Sequence, residues 1–255
     1  MTSAHNERIL EQFRIQAATF TDTGFAAAGL DWILDQLAPQ PGERALDVAA
    51  GAGHLGRALA PRVGHVSAID LTPEMLEQGS RLARDAGLTN IGFLRGDAAA
   101  LPWLDAQFDL VVCRITLHQV ADPAAVVRKM VRVTRPGGRI GITDILLLDP
   151  VFERENTRLE RLRDPSHNRT LTIEEIHGLL TAAGAVPRST VTMDNPLDLE
   201  DWMHRSQTPA PVREEIRLRL DDEVAGGEPT GLRPARDGGH RTFRHRWGTV
   251  VATPA

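Results

Sequence analysis

The 255-residue chain is 42% hydrophobic and 25% charged, the balance of a soluble globular protein with room for one α/β domain and an elaboration. Its net charge of -5 offers no basic surface for nucleic acid or anionic lipid, and no apolar run nears the roughly 20 residues that span a bilayer. One cysteine, Cys113, excludes an internal disulfide and a cysteine-rich zinc site; with a polar N-terminal stretch lacking a signal core, it suits a reducing, cytoplasmic setting.

In chain order, residues 7–37 carry a helical rhythm, with Ile9, Leu10, Phe13, Ala17 and Phe20 on one stripe, until 38-APQPGE-43 breaks it. A strand (44–50) then feeds a glycine loop and a helix (54–62). A second strand, 65–70, precedes a helix with Pro73 at its start and Gly87 past its end. Strands at 91–97 and 108–115, a helix over 121–135 and a fifth strand at 136–147 complete the alternation. Short apolar strands alternating with helices predict a mostly parallel sheet covered on both faces. The remainder is less regular: a helix at 172–184, a strand at 186–194, helices at 198–206 and 211–224, a Gly/Pro-rich loop at 226–239 and a last strand at 242–253.

The loop after the first strand, 47-DVAAGAGHLG-56, holds a literal G-x-G-x-x-G at Gly51, Gly53 and Gly56. Those glycines either cradle a ligand or simply make a tight strand-to-helix turn. Open sheets bind ligands outside the carboxyl ends of their strands, and three such ends carry an aspartate: Asp47, Asp70 and Asp97. Asp70, 19 residues beyond Gly51, suits a ribose diol whichever the ligand. Asp47 would repel a pyrophosphate and favour an ammonium or sulfonium, unless it bonds only to the amides of its own loop. Asp97 can accept from an adenine amine or cap the turn 98–102. An amine, a positive sulfur, a ribose and an adenine together make S-adenosylmethionine. A nicotinamide oxidoreductase has only the glycine spacing in its favour; the chain has no tyrosine for a Tyr-x-x-x-Lys pair.

With 46-LDVAAGAG-53, 69-ID-70, 73-PEML-76, 96-GDAAALP-102, 107-QFDLVVCRITLHQV-120 and 135-RPGGRI-140 in this order, the sequence resembles the class I S-adenosylmethionine-dependent methyltransferases, nearest the ubiquinone/menaquinone group. The resemblance is best over about residues 40–147. It departs at Ala49, where the family usually has glycine. It implies a Rossmann-like, seven-stranded, mostly parallel sheet, with an N-terminal helical lid (1–40), a cofactor core (41–148) and cap helices with the last strands (149–255). It further implies that Ala49, Gly51 and Gly53 let backbone approach the methionine and ribose. Asp70 would hold the ribose between Leu71 and Met75, Asp97 and Ala98 would read the adenine, and the Arg114 carbonyl would meet the methionyl end. Phe13 and Phe20 would belong to the lid, or equally to an ordinary helix core.

Methyl transfer needs alignment and exclusion of water, and a base only where the acceptor must lose a proton. His118 and Asp144 are the candidates at that edge of the sheet, with His204 a weaker one. An acceptor pocket is expected from the N-terminal helix and residues 150–224, lined in part by Phe152, Leu159, Leu162, Trp202 and Met203. Arg154, Arg158, Arg161 and Arg163 read as a solvated helix face; one turned inward would favour an anionic acceptor. The histidines of 240-HRTFRH-245 read as a solvated strand face rather than a metal site. The expected function is methylation of carbon or oxygen on a ring-containing, polyketide- or quinone-like metabolite. The alternative is a cyclase or binding protein retaining the cofactor in this fold. A small-molecule acceptor is the expected partner, with no nucleic acid and no membrane; a homodimer stays open.

Overall fold

The computed structural model describes residues 4–17 and 27–255. Phe20 lies outside the described residues. The expected 7–37 helix is represented by α1 (Ala4–Gln16) and α2 (Leu30–Leu37).

Strands β1 (Arg44–Val48), β2 (His65–Asp70), β3 (Ile91–Arg95), β4 (Phe108–Arg114) and β5 (Thr134–Leu146) are parallel neighbours in the order β3-β2-β1-β4-β5. The intervening helices are α3 (His54–Leu59), α4 (Pro73–Asp85) and α5 (Pro123–Val133). Asp122 caps α5 by accepting from the Ala125 amide, with Pro123 at its first turn. The central strand shows why both faces are covered. Leu110 and Val112 pack with Ile33, Leu37, Leu55 and Leu59 under α2 and α3. Their alternates, Val111 and Cys113, pack with Val126, Met130, Ile176 and Leu180 under α5 and α7 (Ile173–Ala182). A period of two thus feeds two cores from one apolar run.

After β5 come α6 (Glu153–Arg163), α7, β6 (Ala185–Asp198), α8 (Leu199–Arg205), α9 (Ala210–Val224), β7 (Ala235–Asp237) and β8 (His240–Pro254). β8 runs antiparallel between β5 and β6, which completes a seven-strand path β3-β2-β1-β4-β5-β8-β6. The short β7 adds an eighth strand by folding back on the start of β8, inside the stretch that reads as a loop from its glycines and prolines. β8 is long enough to serve two cores. Val250 and Ala252 belong to the sheet interior, whereas Phe243 packs in the cap with Leu159, Trp202, Met203, Ile216 and Leu220. One continuous strand therefore fixes the cap onto the sheet.

α1 is docked differently. Its buried residues include Gln12 and Gln16, and hydrogen bonds tie it down. His5 Nε2 meets the Gln119 carbonyl at 2.5 Å, Gln12 donates to the Ser206 carbonyl, and Gln16 donates to Asp164. Phe13 and Ala17 add a small apolar contact with Ala52 and Met75. The helix closes one side of a cavity at the carboxyl ends of β1, β2 and β4.

Candidate active site

The order of strands reverses between β1 and β4, and at that switch point a cavity of about 610 Å³ opens. One end of it is built by loops that leave the strands. Asp70, ending β2, accepts from the Gly51 amide on one oxygen and the Thr72 amide on the other, both at 2.8 Å. Burial pushes its carboxyl up against those two bonds. The glycine loop is thus strapped to the neighbouring strand by one carboxylate, whose remaining lone pairs face the cavity that Asp70 lines. Gly51 has φ +55°, and a Cβ there would meet no atom within 4 Å. That space is cavity, the room a ligand laid along the backbone requires. Ala49 adopts the same left-handed region at φ 53° despite its methyl group.

Asp47 lines the cavity but is also bonded: it accepts from the Gly56 amide at 2.8 Å. Burial raises its pKa to about 7 against that bond and the nearby Arg114 charge. Arg114 is itself brought down to about 10 by burial. Its guanidinium donates to the Ala28 carbonyl and lies 5.2 Å over the Trp247 ring, while its own carbonyl accepts from Thr116. Asp97 caps the turn that follows, accepting from the Ala99 amide on one oxygen, and takes Asn6 of α1 on the other at 2.9 Å. Leu71 and Ala98 complete this wall.

Two residues expected here are elsewhere. Met75 is fully buried beneath α1 and does not line the cavity. Gly53 is the N-cap of α3 at φ 68°, where a Cβ would lie 2.8 Å from the Phe93 ring. Its glycine answers to the turn and to packing, whereas Gly51 answers to the cavity.

At the opposite end, β4 leads into Ile115, a β-branched residue held at φ 55° by its amide's 2.7 Å bond to the Thr143 carbonyl. That turn aims the amides of Thr116 and Leu117 at Asp144 of β5, which accepts both. The other Asp144 oxygen sits 2.5 Å from His118 Nδ1. A carboxylate can only accept, so Nδ1 carries the hydrogen and Nε2 is the basic nitrogen of the neutral ring. Burial pulls the imidazole down, but the Asp144 charge and hydrogen bond, with Glu160 and Asp164 behind them, leave it above the ordinary histidine value. His167 stacks on His118 at 5.4 Å and, through burial first and the charge balance around it second, falls to about 4.

A second buried pair stands across this end. His245 Nε2 is 2.9 Å from Glu160, and both line the cavity. Burial opposes ionisation of Glu160, yet the His245 bond brings it to about 2. The sequence reading of 240–245 as a solvated face is corrected here: His240 is exposed, but His245 is buried. The signal was present as the alternation Phe243, His245, Trp247, all three buried on one face. Among the described residues no cluster of histidine, cysteine and carboxylate could hold a metal. His204, the weaker base candidate, is exposed on α8 away from the cavity. Leu159, Leu162 and Met203 form the cap's core, and of the five apolar residues expected to line the pocket only Trp202 does. Arg163 turns inward onto the Trp202 ring at 5.2 Å, while Arg158 and Arg161 bond at the surface to Glu155, Glu215 and the 167–168 carbonyls.

A strand-order reversal, a glycine loop strapped to a β2 carboxylate and an acidic third strand end are the features of an open α/β sheet with a ligand cavity at its switch point. Comparison with known proteins is specific. Residues 39–184 match the family model described as "Methyltransferase domain". The uncharacterised methyltransferase YcgJ of Bacillus subtilis is 34% identical over 179 residues, 70% of this chain and 71% of that protein. The crystal structure of YcgJ superposes with a TM-score of 0.81 over 89% of this chain and 98% of that one, at 28% identity. A ubiquinone/menaquinone biosynthesis C-methyltransferase, UbiE of Ruegeria sp., is 34% identical over 137 residues, 52% of each chain. The chain belongs to the methyltransferase domain family. It is an S-adenosylmethionine-dependent methyltransferase of the α/β, mostly parallel class. Among the described residues no helix is long and apolar enough to cross a membrane.

Proposed function

We propose that the protein methylates a carbon or oxygen of a small, ring-containing, quinone-like acceptor, with His118 as general base. The observation that carries this reading is the Asp144–His118 pair at the acceptor end of the cavity. The family likeness to UbiE-type C-methyltransferases supports the acceptor class, although the chain spans about half the length of that relative.

The residues fit the cofactor. Asp70 would accept from the ribose hydroxyls, Asp97 and the Ala98 amide would face the adenine edge, and Asp47 with the Ala49–Gly51 backbone and the Arg114 carbonyl would meet the methionyl end. When bound, the cofactor supplies an electrophilic methyl group on a positively charged sulfur. The remaining work belongs to the chain. Nε2 of His118 takes the proton that an acceptor O–H or acidic C–H must lose, and Asp144 holds the ring and stabilises the imidazolium formed. Helix α1, the cap and the stacked His167 keep water from the pocket, as displacement at a methyl group requires.

The test is release of S-adenosylhomocysteine from S-adenosylmethionine against a panel of phenols, naphthols and quinols, for the wild type and His118→Asn. Acceptor-dependent release that collapses in the variant supports the reading. Tight cofactor binding with no release from any acceptor would turn it toward a non-methylating cyclase or binding protein.

A further inference from the structure

Asn6, Ile9, Phe13 and Gln16 recur on α1 at spacings of three and four, which is one helical face, and all of them line the cavity. The stripe is apolar in the middle and carries an amide at each end. Gln16 donates to Asp164 at the acceptor end. Asn6 reaches across 91 residues of sequence and donates from Nδ2 to Asp97 Oδ2 at 2.9 Å, on the wall shared with Leu71 and Ala98. His5, Gln12 and the Phe13 contact dock the helix as well, so the Asn6 bond does more than fasten α1.

A carboxylate can only accept, so the amide nitrogen faces Asp97, and the amide oxygen, itself an acceptor, stands beside the same carboxylate. Asp97 Oδ1 is held by the Ala99 amide, which makes Oδ2, where Asn6 stands, the oxygen placed for a ligand. An exocyclic amine has two hydrogens. A carboxylate oxygen and an amide oxygen side by side offer an acceptor to each. Asparagine amides are recurrent partners of the adenine 6-amine for this reason. A carbonyl in the amine's place would face two acceptors. Asn6 could not turn its nitrogen to that carbonyl without setting its own oxygen against Asp97. Asp97 thus locks the amide in the orientation that reads an amine.

We propose that Asn6 is a specificity-determining residue for the purine of the cofactor: with Asp97 it clamps both hydrogens of the 6-amine, so the site takes 6-aminopurine nucleosides and rejects 6-oxopurine ones. This rests on the reading of Asp97 as the residue facing the adenine edge. Helix α1 is then part of the cofactor site as well as a wall of the acceptor pocket.

The test is calorimetric titration of the full chain with S-adenosylhomocysteine and with S-inosylhomocysteine, in which a carbonyl replaces the 6-amine. Wild type, Asn6→Ala and Gln12→Ala are compared. Gln12 ties α1 to the Ser206 carbonyl and does not line the cavity, so its variant loosens the helix without touching the purine. The wild type is expected to prefer S-adenosylhomocysteine by roughly a hundredfold or more. Asn6→Ala should lower that ratio by about fivefold or more, and Gln12→Ala should keep it. The ratio is the readout, because a residue that only docks α1 weakens both nucleosides alike. A ratio unchanged in Asn6→Ala, or lowered as much in Gln12→Ala, would overturn the role of Asn6 and leave the Asp97 reading standing. Equal binding of both nucleosides by the wild type would overturn the Asp97 reading and the clamp with it. Failure of the wild type to bind S-adenosylhomocysteine would overturn the cofactor site as a whole.

Discussion

The two ends of the cavity are built by different rules. At the glycine-loop end each carboxylate sits within two residues of a strand terminus and is held by nearby backbone amides: Asp70 by Gly51 and Thr72, Asp97 by Ala99, Asp47 by Gly56. At the acceptor end the groups come from remote segments. His118 meets Asp144 across 26 residues, Glu160 meets His245 across 85, and Gln16 meets Asp164 across 148. Carboxylates held by backbone amides are rigidly placed. Side chains from α1, β5, α6, β8 and the loop after β4 can change chemistry without disturbing those turns.

If this contrast is right, acceptor-end changes should affect turnover and leave cofactor affinity alone. The largest effect is expected from His118→Asn: kcat lower by about 10² to 10⁴, the span of general base catalysis, with unchanged S-adenosylhomocysteine affinity by calorimetry. Loss of cofactor binding in that variant would break the comparison. Next, Asp70→Ala removes charge-assisted hydrogen bonds and unstraps the glycine loop, a loss of about 3 kcal/mol, or over a hundredfold in cofactor affinity. An affinity within a few-fold of wild type would show that Asp70 is only a strand end.

The pH dependence sharpens the same division. The base must be neutral, and His118 stands above the ordinary histidine value, so kcat/KM should rise with pH through that elevated value and fall below it. Asp144→Asn removes the charge that favours the imidazolium, so the rising limb should move to lower pH while the plateau drops; a limb that stays in place would assign the titration to another group. Burial raises the Asp47 carboxyl to about 7, so at pH 6 it is largely protonated. An ammonium brought beside it lowers that value, and binding should release a proton. Calorimetry in buffers of different ionisation enthalpy reads the release directly; none at pH 6 would leave Asp47 a purely structural residue of its loop.

The smallest effect is expected from Ala49→Gly. Relief of a left-handed alanine is worth about 1 kcal/mol, offset in part by the freer unfolded chain, so the Tm should rise by about 2 °C or less. A drop of several degrees would mean that the alanine methyl packs usefully.

Much of this was legible in the residues themselves. The strand–helix alternation, the glycine loop and the three strand-end aspartates are local patterns, since period-two burial, helix caps and turn residues act over a few positions. Asp47, Ala49, Gly51, Asp70, Leu71, Asp97, Ala98, Arg114 and His118 all line one cavity. Met75 and Gly53 were misplaced because a motif marks where the chain turns and not which of its atoms face the ligand.

The acceptor end was decided by tertiary structure. No pattern in 153-ERENTRLERLR-163 distinguishes Arg163, turned onto Trp202, from Arg158, bonded to Glu155 and Glu215 at the surface. His245 was hidden by the charged residues around it, although Phe243 and Trp247 on either side marked its face. The sequence by itself determined the strand-end turns and the carboxylates they hold, because backbone groups and side chains there are fixed by local interactions. Which histidine gains a carboxylate, and which arginines lose their water, depended on elements folding together from opposite ends of the chain.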